Sequence, residues 1–545
     1  MSREDSPGRV PAPPPADAAA GSFSEDPPWL VEPERMPWRD GIESLRRATR
    51  AQVPELTRHR RLPPGLRVAE VGSLLMKALA GWYLLDRRRG PEISRRSIAH
   101  RLRVAFETLG PTYIKLGQII SSGEGLFPPE LVDEFRHCRD QVPPEDFSVV
   151  RRTVEEDLGC PIAETFQSFD PVPLAAASIA QVHAARLRSG ENVVVKVQRP
   201  QVARLVRRDL AAMSWIAPYL IGRIPVTALA NPPALVELFA ETIVEELDFR
   251  LEGQNMLDVA RVLAETDQRA LVVPRPHPEL VTRRVLVMER LDGFSWGDAE
   301  AMRAYGIDTE AVLKAGLIAF LEGTLLYGVF HGDLHGGNLL VMRDGRVALL
   351  DFGITGRLGD YERQAFLRLL ISGTANDIRS QVEAMRDLGA LPEDTDVDAV
   401  IRDLGLDRGP IDPTKMSAEE LTAELSAVTK ALLGYGARMP KELMLFVKDM
   451  LFLDGAIALM APDLDLLGEI VSIFTYFQEH HGERIARDIG LEPGSEPAVD
   501  IAGIRAQLGV ADPVDSLTYR DIAERRQIMR QRFEHSRRGR DAGKQ

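Results

Sequence analysis

Residues 331–353 read HGDLHGGNLLVMRDGRVALLDFG, and their spacing decides how the rest of the chain is read. Asp333 is followed five residues later by Asn338, and thirteen residues beyond that by Asp351 at the head of Asp351-Phe352-Gly353. The stretch from Leu339 to Gly353 has the pattern of a strand, a turn and a second strand. An Asp able to orient or deprotonate a nucleophile, with an Asn and a second Asp able to offer hard oxygen ligands to Mg2+, is the layout that phosphoryl transfer needs. Asp-Phe-Gly alone arises by chance; the ordered set at this spacing is a far more specific signal. His331 and His335 stand four apart, as a zinc pair on a helix would, but the glycines around them point to a loop that His331 braces.

Upstream, VHAARL and ENVVVKVQ alternate as strands around a turn at Ser189–Gly190. They place Lys196 on a strand, where its ammonium can hold the α- and β-phosphates of ATP. A long helix is expected over 233–260, and TIVEELDF within it offers Glu245 and Glu246 as partners for Lys196. No Gly-rich loop precedes Lys196. In its place stands LAAASIAQVH (174–183), with Ala175, Ala177, Ala180 and Val182 at the positions of a G-x-G-x-x-G-x-V loop. Alanine keeps the side chain small but gives up φ > 0, so this loop is expected to be stiffer. RRVLVMERLDG (283–293) reads as a strand leading into a hinge, whose backbone near Glu289 and Leu291 would meet adenine. After Asp351-Phe352-Gly353 the chain runs almost directly into a helix with no A-P-E, which argues against docking of a peptide substrate.

Composition agrees with a soluble globular chain of two or three units: 545 residues, 44% hydrophobic, 27% charged. Two cysteines, Cys138 and Cys160, suit a reducing cytosol and offer no metal-binding spacing. The net charge of −14 is uneven: residues 46–103 carry +11 and residues 520–545 carry +5, so an acidic body has basic flanks and is not a general nucleic-acid binder. Of 67 basic residues only nine are lysines, so a lysine that persists is a candidate for a site needing a compact ammonium. Residues 64–86 read as an amphipathic helix flanked by Arg58, Arg60, Arg61 and Arg87 to Arg89. It would either pack on its own domain or lie on an anionic membrane surface. Its longest uncharged stretch, Ala78 to Leu85, is far below the roughly 20 residues of a membrane span, and no transmembrane helix is expected.

These residues resemble the UbiB family of atypical kinases, also called AarF or ADCK proteins. The resemblance covers about 100 to 460 and includes the KxGQ motif at Lys115-Leu116-Gly117-Gln118, followed by LFPPELVDEF and a DQVPP turn. The family's Ala-rich loop matches Ala175, Ala176, Ala177 and Ser178. Its ExD motif matches Glu246-Leu247-Asp248, which makes Glu246 the implied partner of Lys196, with Glu252 at another family position. The catalytic Asp and the two metal ligands carry over to Asp333, Asn338 and Asp351. The KxGQ segment is implied to fold over the nucleotide cleft, so that Lys115 and Gln118 reach the ATP site. Three departures stand out: SSGEGLFP in place of STRPDLLP, HGDLHGGN in place of HADPHPGN, and a polar, Arg-rich C-terminus where bacterial relatives carry membrane helices.

The expectation is an α+β, two-lobed protein-kinase-like fold with a helical KxGQ extension. Its parts are a disordered Pro/Ala-rich tail (1–40), the extension (41–165), an N-lobe (166–290), a C-lobe (291–480) and a polar helical tail (481–545). The expected activity is that of an ATP-binding, Mg2+-dependent atypical kinase or ATPase supporting isoprenoid-lipid or quinone metabolism at a membrane surface. Asp333, Lys196 and Glu246 would be catalytic. The alternative is a nucleotide-gated lipid-binding or scaffolding protein with little turnover. Expected partners are ATP and ADP, an anionic membrane and an isoprenoid lipid or quinone precursor. The chain shows no secretion signal and is expected in the cytoplasm, peripheral on the inner face of the membrane.

Overall fold

The structure is a computed structural model, and it describes residues 22–24, 29, 35–121, 127–138, 143–220, 232–375, 377–406, 434–437, 440–490 and 518–521. Most of the expected N-terminal and C-terminal tails, the DQVPP turn and the SSGEG segment lie wholly or partly outside these residues.

The N-lobe is a twisted antiparallel sheet in the order β1 (Phe166–Phe169), β3 (Ala180–Leu187), β4 (Asn192–Gln198), β7 (Val285–Glu289), β6 (Pro276–Val281), with β2 (Ala175–Ala176) paired to the start of β3. The expected hairpin is present: β3 and β4 pair in unbroken register from Ala180 opposite Gln198 to Arg186 opposite Asn192. Gly190 closes the turn at φ +110°, a conformation that L side chains rarely adopt. The period of two sorts β4 into faces. Val193, Val195 and Val197 bury against Val285, Val287 and the helix Phe147–Leu158. Val194 and Lys196 therefore point the other way, towards the rest of the molecule.

The expected helix over 233–260 is two helices, Pro232–Glu245 and Phe249–Glu265. Asp248 ends the continuity: it adopts an extended backbone and its carboxylate caps the second helix by accepting from Arg250 N at 3.2 Å. The break turns Glu246 and Glu252 onto different neighbours.

The C-lobe is built on the helices Thr309–Tyr327, Asp360–Thr374, Lys441–Met460 and Leu466–Asp488. Phe320, Phe330, Phe366 and Phe446 interlock at its centre, with ring centroids 4.6 to 5.7 Å apart for the three closest pairs. Each such buried ring contributes about 1.5–3 kcal/mol by burial alone. Two further sheets carry the loops of interest. One has the order β5 (Leu271–Val272), β11 (Val347–Leu349), β10 (Leu339–Val341), β8 (Phe294–Ser295); the other pairs β12 (Thr355–Arg357) with β9 (Val329–His331). β12 ends three residues before the helix at Asp360, so only a short link follows Asp351-Phe352-Gly353.

The N-terminal helices Leu66–Gly81, Pro91–Leu109, Pro111–Ser121 and Pro129–Phe135 pack on Val202–Leu220 and Pro232–Glu245. Arg67 fastens the first of them through a buried pair with Asp209 at 2.6 Å. The helical run Leu66–Asp86 is 21 residues long and includes an 18-residue window of mean hydropathy 1.3, enough to cross a membrane by length and composition alone. Only 17% of that window is buried, and Leu66, Met76, Tyr83, Leu84 and Leu85 are exposed.

Candidate active site

Lys196 reaches the cleft from the open face of β4. Its Nζ lies 2.7 Å from Glu252 Oε1 and 3.1 Å from Asp351 Oδ2, above the ring of Phe249. Burial opposes the ammonium, but Asp351 and Glu252 override it and raise the lysine's pKa. Burial likewise pushes the Glu252 carboxyl up, against the pull of Lys196. The implied pairing of Lys196 with Glu246 is corrected: the partner on the helix is Glu252. Glu245, the other candidate, pairs with Arg50 at 2.6 Å.

Glu246 faces Lys115 instead, at 3.0 Å. It can do so because the chain breaks at 246–248 and because the KxGQ helix, Pro111–Ser121, lies across the cleft. Burial disfavours a charged Lys115, and Glu246, Asp333 and Asp351 together reverse that and raise its pKa. Gln118 lines a small cavity with Lys115, Asp333 and Lys448. The KxGQ residues and the catalytic loop are thus brought together.

The loop 331–338 is fixed by its own side chains. His331 is buried and its Nδ1 accepts from Asp333 N at 3.2 Å, while His335 accepts from Gly337 N at 3.0 Å. Burial pushes His331 down to about 4, so its ring is neutral. Asn338 donates from Nδ2 to Asp333 O at 3.0 Å, which leaves its side-chain oxygen as a potential ligand. Asp351 Oδ1 accepts from Gly353 N at 2.9 Å. Behind it, Asn255 donates to Phe352 O at 2.9 Å and accepts from Arg46 and Arg357. Both aspartates are held well below the usual carboxylate range. For Asp333, Lys448 and Lys115 overcome the opposing effect of burial; for Asp351, Lys196 and Lys115 do.

Two contacts at this loop come from the helix Lys441–Met460. Lys448 Nζ forms an ion pair with Asp333 Oδ1, and Asp449 Oδ1 accepts from Leu334 N at 2.9 Å. Sequence reasoning missed both; Lys448 is nevertheless one of the nine lysines.

The Ala-rich loop folds back on the start of β3. Ala175 and Ala176 form β2 opposite Val182 and Gln181, Ala177 N donates to Ala180 O at 2.8 Å, and Ser178 is buried. No residue of 174–183 has positive φ, so alanine suits the backbone adopted. Arg199 pins the loop by donating to Ala177 O at 2.9 Å and pairing with Glu145. At the expected hinge, the N–H of Glu289 is already committed to Arg275 O at 2.9 Å, and its carboxylate accepts from Ser24 and Arg275 N.

Asn338 and Asp351 present oxygen donors of the kind Mg2+ prefers. Among the described residues no group of three His, Cys, Asp or Glu could hold a metal ion. A cation held by these two residues would complete its shell with water and with oxygens such as the phosphates of a nucleotide. The two residues fit Mg2+ carried on a nucleotide, whereas His331 and His335 each accept a backbone N–H of the loop.

Comparison with known proteins agrees with this geometry. Residues 137–385 match the family model described as ABC1 atypical kinase-like domain. An uncharacterized protein of Mycobacterium tuberculosis is 35% identical over 429 residues, spanning 77% of this chain and 86% of that protein. A chloroplastic protein of Arabidopsis thaliana, described as an uncharacterized aarF domain-containing protein kinase, is 35% identical over 396 residues, 67% of this chain and 72% of its own. A probable protein kinase UbiB of Aeromonas salmonicida is 32% identical over 385 residues, 70% of each chain.

Proposed function

This chain belongs to the UbiB/AarF family of atypical kinases, and we propose that it binds ATP with Mg2+ and transfers or hydrolyses the terminal phosphoryl group. The observation that carries this reading is the convergence of five residues on one cleft: Lys196 contacts Glu252 and Asp351, and Asn338 donates to the backbone of Asp333 beside them. Lys196, held by Glu252, binds the α- and β-phosphates under the Ala-rich loop. Asn338 and Asp351 would hold the metal, which would neutralise the phosphate oxygens, and Asp333 orients the acceptor and takes its proton.

The acceptor is water or a small molecule rather than a polypeptide. The KxGQ helix occupies the approach to Asp333, and the link after Asp351-Phe352-Gly353 is too short to dock a peptide. The role in isoprenoid-lipid or quinone metabolism comes with the family resemblance and belongs to the same proposal. ATP turnover measured with Mg2+ and with a chelator tests the reading; turnover indifferent to the metal overturns it.

A second reading is favoured by the helical run Leu66–Asp86, whose exposed Leu66, Met76, Leu84 and Leu85 are flanked by Arg58 to Arg61 and Arg87 to Arg89. Apolar side chains beside arginines suit an anionic bilayer surface, with nucleotide state controlling attachment and little turnover. Co-sedimentation with anionic vesicles at low and high salt, with and without ATP, tests it. Binding that ignores both conditions contradicts it.

A further inference from the structure

The loop that carries Asp333 contains no lysine or arginine: HGDLHGGN offers only His331 and His335. A conventional kinase loop reads H-R-D, with an arginine directly before its aspartate. Here that place is Gly332, where a side chain would be crowded. A Cβ on Gly332 would lie 3.0 Å from Leu445 Cδ1 and 3.1 Å from Ile354 Cγ2. Leu445 belongs to the helix Lys441–Met460, and one turn further along that helix Lys448 reaches the carboxylate of Asp333. The same helix fills the space and delivers a charge.

The delivery is in fixed register. Asp449 is fully buried and its Oδ1 accepts from Leu334 N at 2.9 Å, so consecutive helix residues 448 and 449 grip consecutive loop residues 333 and 334. Lys448 is itself only 16% exposed and shares a cavity with Asp333, Lys115 and Gln118. Lys115 pairs with Glu246 and Lys196 with Glu252 and Asp351, and among the described residues Lys448 is the cation in ion-pair contact with the Asp333 carboxylate. In a chain with nine lysines among 67 basic residues, a compact ammonium at this position is a marked departure from its usage.

We propose that Lys448 is a further catalytic residue, a cation supplied from outside the catalytic loop that binds the phosphoryl group in transfer while keeping Asp333 aimed at the acceptor. This rests on the kinase reading above. In the step concerned, an acceptor O–H loses its proton to the Asp333 carboxylate as its oxygen forms a bond to the γ-phosphorus. The bond from that phosphorus to the β,γ-bridging oxygen breaks, and its electron pair leaves on ADP. Lys448 keeps its proton throughout and offsets the charge on the non-bridging oxygens of the moving group.

The test uses the full-length protein with Lys448→Met, Lys448→Arg and Asp333→Asn, measuring kcat and KM for ATP, affinity for ADP, and melting temperature. Removing one preorganised donor of this kind costs about 10²-fold in kcat. Lys448→Met is therefore expected to lose about 10²-fold in kcat, with KM and ADP affinity within about threefold, because ADP lacks the transferred group. Lys448→Arg is expected to recover part of that loss. Turnover in Lys448→Met within threefold of the parent, with Asp333→Asn inactive, overturns the inference and spares the kinase reading. Full turnover in Asp333→Asn sinks the kinase reading itself. A parallel fall in ADP affinity and melting temperature would make Lys448 structural and overturn the inference. If Lys448→Met does not fold, Lys448→Gln takes its place with the same thresholds, and failure of both to fold counts against the inference.

Discussion

Lys196 Nζ lies 2.7 Å from Glu252 Oε1, across the join between the strand that carries the lysine and the helix Phe249–Glu265. Both groups are largely out of solvent, so removing one partner strands a charge, which typically costs about 3–5 kcal/mol. Asp351 at 3.1 Å softens the loss. Glu252→Gln is accordingly expected to cost about 3 kcal/mol in urea denaturation and to lower ATP affinity, because Lys196 is no longer aimed. Glu246→Gln should leave ATP affinity nearer that of the parent, since its partner is Lys115. The reverse ranking of the two variants in ATP affinity would restore Glu246 as the partner of Lys196.

The KxGQ helix reaches the cleft through a close approach at its glycine. A Cβ on Gly117 would lie 2.8 Å from Phe135 Cδ1 and 3.1 Å from Cys138 Sγ, both on fully packed groups. Gly117→Ala should therefore push the helix away from its neighbours, costing about 1–3 kcal/mol. Hydrogen exchange in residues 111–121 is expected to rise in the variant. Unchanged exchange and unchanged stability would show that the contact yields without moving the helix.

Asn255 joins three parts of the molecule: it donates to Phe352 O and accepts from Arg46 and Arg357. The residue is buried, so Asn255→Ala leaves a carbonyl and two guanidinium groups short of a partner, at about 1–3 kcal/mol for each buried group left unsatisfied. We expect a loss of about 3 kcal/mol in denaturation and a weaker affinity for Mg2+, because Phe352 and the neighbouring Asp351 are no longer held. A variant as stable as its parent would show that the loop around Phe352 is held elsewhere.

The N-lobe carries two neutral histidines. His277 Nδ1 accepts from Glu279 N at 3.0 Å and Leu280 N at 3.1 Å, and burial pushes its pKa down to about 4. His183 donates from Nδ1 to Asp170 O, receives Gln181 at Nε2, and is lowered by burial as well. An unfolded histidine titrates near 6.5, so between about 6.5 and 4 the unfolded chain binds more protons than the folded one. The stabilisation is complete above about pH 6.5, falls as pH drops, and levels off near 4. Over that window His277 should account for on the order of 2 kcal/mol, allowing for its partial exposure. Unfolding free energies of the parent and His277→Gln between pH 7 and 4 measure it; parallel curves would contradict it.

Much of the fold was legible because short-range rules decide it. The alternation around Ser189–Gly190 located the β3–β4 hairpin and put Lys196 on a strand, as the register bears out. The direct run from Asp351-Phe352-Gly353 into a helix was equally local. The spacing of Asp333, Asn338 and Asp351 located the floor of the cleft. What the sequence could not settle are choices made by tertiary placement. Glu246 and Glu252 are both plausible partners for a strand lysine, and only the break at Asp248 decides between them. Lys448 lies 115 residues beyond Asp333, a separation at which no periodicity speaks. The shortage of lysine was the one sequence signal that touched it, and three of the nine lysines, Lys115, Lys196 and Lys448, meet at this site.

Asp351→Asn separates Mg2+-dependent turnover from folding. The change removes the charged oxygen proposed to hold Mg2+ while keeping size and shape, and Lys196 retains Glu252. Mg2+-dependent release of ADP from ATP is predicted to fall by at least about 10²-fold, with the melting temperature within a few degrees of the parent. Turnover at the parent's rate in a folded Asp351→Asn protein would contradict the account.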